Sequence, residues 1–150
     1  MERKQFDITI QATPEKIWQV LWGNDTYPQW TAPFSEGMSE GGGVKTDWQK
    51  GSRVLFVDSK GDGMVARIRD VIPNRYMSIE HLGEIVGGKE DTESEKVKEW
   101  AGAHEDYTLT PEGSGTQLRI DMDMSPEFDQ MLSGIWPKAL AKVKELSEKQ

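Results

Sequence analysis

The chain has no cysteine. That excludes disulfide staples and thiolate nucleophiles, and leaves the redox compartment open. Histidine is scarce: His81 and His104 are the only two, on separate segments and without HxH or HExxH spacing. A transition-metal site is therefore not expected. Positive charge is in deficit, with 18 Lys and Arg against 26 Asp and Glu and a formal net charge of -8. This argues against binding a nucleic-acid backbone, which needs clustered cations. No apolar run approaches the ~20 residues of a membrane span, and the opening MERKQFDITI lacks the apolar core of a signal peptide. The expectation is a soluble, cytoplasmic protein. There is no G-x-S-x-G elbow and no phosphate-binding glycine pattern, and the acids of KEDTESEKVKE do not alternate as a calcium loop requires. No metal and no cofactor are expected.

What is present is a regular alternation of element signals. QFDITIQ (5–11) puts Phe6, Ile8 and Ile10 on one face, a half-buried strand. Thr13-Pro14-Glu15 combines a capping hydroxyl, a proline at the first helical position and a first-turn acid. The helix it opens buries Ile17, Trp18, Leu21 and Trp22 and stops at Gly23-Asn24. A second short helix runs from Asp25 to about Trp30, followed by the Gly-rich loop SEGMSEGGG (35–43). Strands are expected at 44–48, 53–58, 64–72, 76–85, 103–110 and 116–124, with a charged excursion at 86–99. Ser125-Pro126-Glu127 then repeats the helix-opening signature. The stripe Phe128, Met131, Leu132, Ile135, Trp136, Ala139, Leu140, Val143 and Leu146 keeps helical period to the C-terminus. Pro137, inside it, predicts a kink or a break.

This order predicts an α+β fold: one domain over 1–150, with a curved antiparallel sheet of six to seven strands wrapped around a long C-terminal helix. ITIQATPEKIWQVL with its following Tyr-x-x-Trp resembles the start of the START-related, Bet v 1-like (SRPBCC, helix-grip) domains. IPNRYMSIEH, GTQLRIDMDM and WPKALAKVKELSEK are similar to the branch named after the activator of the heat-shock-protein-90 ATPase. The resemblance implies a helix-grip fold, and its members include ligand carriers, polyketide cyclases and stress proteins. The eukaryotic co-chaperones of that name carry a separate N-terminal domain that 150 residues do not accommodate, so ATPase stimulation is not carried over.

In the family's register the inward strand residues are Val44, Thr46, Trp48, Ala66, Ile68, Met77, Ile79, His81, Tyr107, Leu109, Ile120, Met122 and Met124. The C-terminal helix presents Met131, Ile135 and Trp136 opposite them, and Trp30 stands at the cavity mouth. Each also reads as plain core. The methionines favour a cavity, because thioethers adapt to irregular ligands. The expected function is binding of a small hydrophobic or amphipathic molecule between the sheet and the C-terminal helix. A cyclase- or dehydratase-type enzyme is the alternative: His81 shares a face with Met77 and Ile79, and Glu105 shares one with Tyr107 on the strand expected to pair with it. Tyr107 offers a phenolic donor to a ligand, and His104 is expected to face solvent. A protein-interaction or stress-response role through residues 35–43 or 86–99 is the third reading, with a monomer or weak dimer expected.

Overall fold

The alternating start of the chain becomes strand β1 (Glu2–Ile10) in the computed structural model, which describes residues 2–35, 43–57, 61–124 and 126–149. Helix α1 (Pro14–Trp22) follows, its first turn capped by Lys16 N donating to Thr13 Oγ1 at 3.2 Å. Helix α2 (Tyr27–Trp30) is one turn long and leads into a 3-10 turn at Ala32–Ser35. The joint between the two helices closes α1's free carbonyls with side chains: Thr26 Oγ1 donates to Val20 O at 2.6 Å and Trp30 Nε1 to Leu21 O at 3.1 Å. Gly23 is needed there, since a Cβ would lie 2.5 Å from Gln19 O.

The remaining strands are β2 (Gly43–Lys45), β3 (Arg53–Val57), β4 (Gly63–Ile72), β5 (Tyr76–Val86), β6 (Lys89–Asp91), β7 (His104–Glu112) and β8 (Gly115–Met124). They form one curved antiparallel sheet in the order β1-β8-β7-β5-β4-β3-β2, with β6 beside the far end of β5. Helix α4 (Pro126–Glu148) packs against β1, α1 and α2. On the outer face Arg3 forks from β1 to Asp123 on β8 (3.0 Å) and Asp106 on β7 (2.6 Å), tying three strands together.

Three expectations about elements change. The strand foreseen at 44–48 ends at Lys45, and Trp48 adopts a left-handed backbone at φ 60° that folds its ring back over the helices. The charged excursion is more ordered than a loop. It holds β6 and a helical turn α3 (Glu95–Lys98), where Ser94 caps Val97 N and the Val97 side chain is fully buried. Helix α4 runs unbroken through Pro137. Pro137 and Ser133, whose carbonyl loses its partner, are both exposed, so water can satisfy that group. Of the expected Gly-rich loop, 36–42 lies outside the described residues.

The core between sheet and helices is dominated by aromatic rings in contact. Trp22 meets Trp48 at 4.6 Å and Tyr107 at 4.9 Å. Tyr27 meets Trp30 at 5.3 Å, and Trp136 of α4 meets Phe6, Tyr107 and Trp30 at 6.0, 6.1 and 6.3 Å. Offset and edge-on geometries of this kind add roughly 0.5–1.5 kcal/mol per pair to the burial itself.

Candidate functional site

Register brings the titratable candidates together. Met77 of β5 pairs with Tyr107 of β7, and Ile79 with Glu105, so His81 lies diagonally across from Glu105 on the inner face. His81 Nε2 is 3.2 Å from Glu105 Oε1, and Tyr107 Oη donates to Glu105 Oε2. The His81 backbone is held by bonds to Ala103 O and from Gly102 N. Next to His81, β5 carries one extra residue, Leu82, where the register with β4 shifts between Val65 and Ala66. If Nε2 carries the proton given to Glu105, then Nδ1 is a basic nitrogen, and it is buried without a partner. The carboxylate thus orients the imidazole from one side and the phenol from the other. Tyr107's hydroxyl is committed to Glu105, so it is not the free ligand donor expected of it. Burial first, and then the charge of Glu105, push the pKa values of Tyr107 and Tyr27 well above the usual tyrosine range. Both remain neutral donors at ordinary pH.

Hollows indent the described surface, two of them beside α1. One of about 190 Å³ is walled by Trp18, Trp22 and Trp48, with Gln49, Val71, Pro73 and Met77. The other, of about 360 Å³, lies between Pro14, Glu15, Pro73, Asn74, Arg75, Leu109 and Pro111. Pro73 belongs to both walls. Neither is lined by α4, so both lie at the end of the sheet beside α1 and the β4–β5 turn. The Trp22 Nε1 donor is buried with no partner among the described residues, a liability of about 1–3 kcal/mol.

The model of the family described as activator of Hsp90 ATPase homolog 1-like protein matches residues 11–148. The chain belongs to this family. Its fold is that of the START-related, Bet v 1-like superfamily. Among solved structures, the Aha1 dimer from Colwellia psychrerythraea is 20% identical with a TM-score of 0.72, covering 99% of this chain and 97% of that one. Protein MLL2253 from Mesorhizobium loti is 19% identical with a TM-score of 0.69, covering 97% and 96%. CalU16 from Micromonospora echinospora is 16% identical with a TM-score of 0.62, covering 99% and 76%. At these identities the likeness is one of fold. No curated protein matches the chain.

In this Hsp90-activator-like chain the residues expected to line a cavity divide by position. Ala66, Ile68, Met77, Ile79, Tyr107 and Trp136 are all at most 2% exposed, and Met124 is also buried. Trp30, expected at a cavity mouth, is instead sealed in the core with its indole N–H on α1. Met122 is half-buried and accepts from Trp136 Nε1 at 3.2 Å, and Ile135 is half-buried. Met131 is a correction: it is 53% exposed. At 3.6 residues per turn it points about 140° away from Trp136, off the packed arc. Of the expected set, Trp48 and Met77 border the first hollow, joined there by Trp18 and Trp22, which the helical pattern assigns to packing, and Leu109 borders the second. His104 sits on the outer face with Glu80, half-buried rather than in open solvent. The signal for Trp18 and Trp22 was their i, i+4 spacing, which doubles the indole surface on one helix face. For Glu15 and Arg75 no sequence pattern existed.

Proposed function

We propose that the protein binds a small amphipathic molecule at the indole-walled hollow between α1 and the β4–β5 turn. The observation that carries this reading is the convergence of three indoles and a thioether on one hollow. Aromatic walls with few polar groups, here Gln49 beside the indoles, are the usual makeup of small-ligand sites. The space between sheet and α4, where such a ligand was first expected, holds the packed rings of Trp30, Tyr107 and Trp136. A panel of small aromatic and aliphatic acids, amines and flavonoids, read by tryptophan emission and thermal shift, tests the proposal. Binders should raise Tm, and Trp48→Ala should weaken them. If no compound moves either signal, the reading fails.

A second reading is favoured by the His81–Glu105–Tyr107 contacts: proton transfer by His81, with Glu105 fixing its tautomer. It requires Nε2–H and a bare Nδ1. Nitrogen-15 spectra of His81 showing the Nδ1–H form would end it.

A further inference from the structure

The chain has six arginines, and five have side-chain partners. Arg3 holds Asp106 and Asp123, Arg53 holds Glu90, Arg67 holds Glu80, Arg69 bonds Ser78 and Tyr76, and Arg119 holds Asp121. Arg75 is the exception: its guanidinium bonds no other described residue. It borders the larger of these two hollows, and so does Glu15 from the first turn of α1, which likewise has no side-chain partner among the described residues. In a chain of net charge -8, an unengaged cation and anion therefore flank one hollow without pairing with each other. The walls between them are apolar: Pro14, Pro73, Leu109 and Pro111. Arg75 is firmly placed. Its N–H donates to Ile72 O at 3.0 Å, its carbonyl accepts from Leu109 N at 2.8 Å, and the preceding Asn74 holds a left-handed turn at φ 67°.

A plain anion would satisfy Arg75 but meet the repulsion of Glu15, and a plain cation the reverse. One occupant satisfies both at once, a molecule carrying a carboxylate and an ammonium together. Pro73 joins this hollow to the indole-walled one, so an aromatic or apolar group on the same molecule would lie against Trp18, Trp22 and Trp48. Together the two volumes fall within the ~300–1,000 Å³ range of small-ligand sites. We infer that the trough across Pro73 binds a small zwitterion of the α-amino-acid type, its carboxylate on Arg75, its ammonium on Glu15 and its apolar side group in the indole hollow. The inference rests on the reading that the indole hollow takes a ligand, and adds the chemical class that the neighbouring charges select.

Three probes of nearly equal shape separate the possibilities: phenylalanine, 3-phenylpropanoate, which lacks the ammonium, and phenethylamine, which lacks the carboxylate. Titrations followed by tryptophan emission and calorimetry should show phenylalanine binding about 2- to 5-fold more tightly than either, the factor for one exposed ion pair. Arg75→Gln should weaken phenylalanine and 3-phenylpropanoate and leave phenethylamine unchanged. Glu15→Gln should weaken phenylalanine and phenethylamine and spare 3-phenylpropanoate. Both sites are exposed, and far-UV spectra confirm folding of each variant. If phenylalanine binds no better than both analogues, or is indifferent to Arg75→Gln, the zwitterion is overturned. The indole hollow would then stand on whatever members of the wider panel still bind. Failure of every compound in both sets would remove the ligand reading itself.

Discussion

Replacing Tyr107 with Phe isolates the bond that organises the buried polar cluster. The ring keeps its place: Tyr107 is 2% exposed and its contacts with Trp22 and Trp136 do not involve the hydroxyl. Only the donor to Glu105 Oε2 is lost. A hydrogen bond to a charged acceptor contributes about 1.5–3 kcal/mol. The Glu105 side chain is 15% exposed, so water replaces the donor poorly, while His81 still holds the other oxygen at 3.2 Å. A loss of about 2 kcal/mol is therefore expected, which for a domain of this size lowers Tm by roughly 4–8 °C. Urea titration followed by far-UV dichroism measures it. The same substitution made in a Glu105→Gln background faces an uncharged acceptor, and its cost should fall to about 1 kcal/mol or less. Equal costs in the two backgrounds, or no cost in either, would refute the claim that Tyr107 and Glu105 act as a coupled pair.

Three further outcomes follow from the same geometry. Tyr27 and Tyr107 have raised pKa values in the fold, so their stabilising contribution is complete below the unfolded tyrosine value of about 10 and is lost as pH rises beyond it. Phenolate absorbance should appear for these two only together with alkaline unfolding; reversible ionisation in the native protein would contradict their burial. Met131→Lys should change stability by no more than about 0.5 kcal/mol, whereas Trp136→Ala should cost about 3–5 kcal/mol; similar losses in denaturant titrations would put Met131 back in the core. Gly83→Ala would set a Cβ 2.1 Å from Asp91 O, so β6 should detach from β5. Hydrogen exchange at Lys89–Asp91 should then accelerate, and unchanged protection there would show that the strand pair can shift to accommodate the methyl group.

The elements of this fold were legible because they depend on short-range physics. Thr13-Pro14 and the Ile17–Leu21 spacing specify a capped amphipathic helix wherever it packs. The alternation of Leu118, Ile120 and Met122 specifies a strand before its neighbours are known. Face-sharing was legible too, and it correctly put His81 with Ile79 and Glu105 with Tyr107. Register was not contained in those patterns. Whether His81 reaches Glu105 depends on which residue of β7 stands opposite Ile79, and that is set by packing across the whole sheet. Trp30 and Trp48 show the same division. Trp30 read as an aromatic beyond a helix stop and Trp48 as an inward strand residue, but a hydrogen bond to Leu21 O drew Trp30 into the core, while a left-handed turn brought Trp48 over Trp22. Met131 kept the apolar chemistry of its neighbours, yet the narrow arc that α4 buries left it in water. Sequence by itself determined which segments are helix and strand and which side chains share a face. Only the tertiary structure decided which faces meet, and so which indoles wall one hollow and which charges, Glu15 and Arg75, border another.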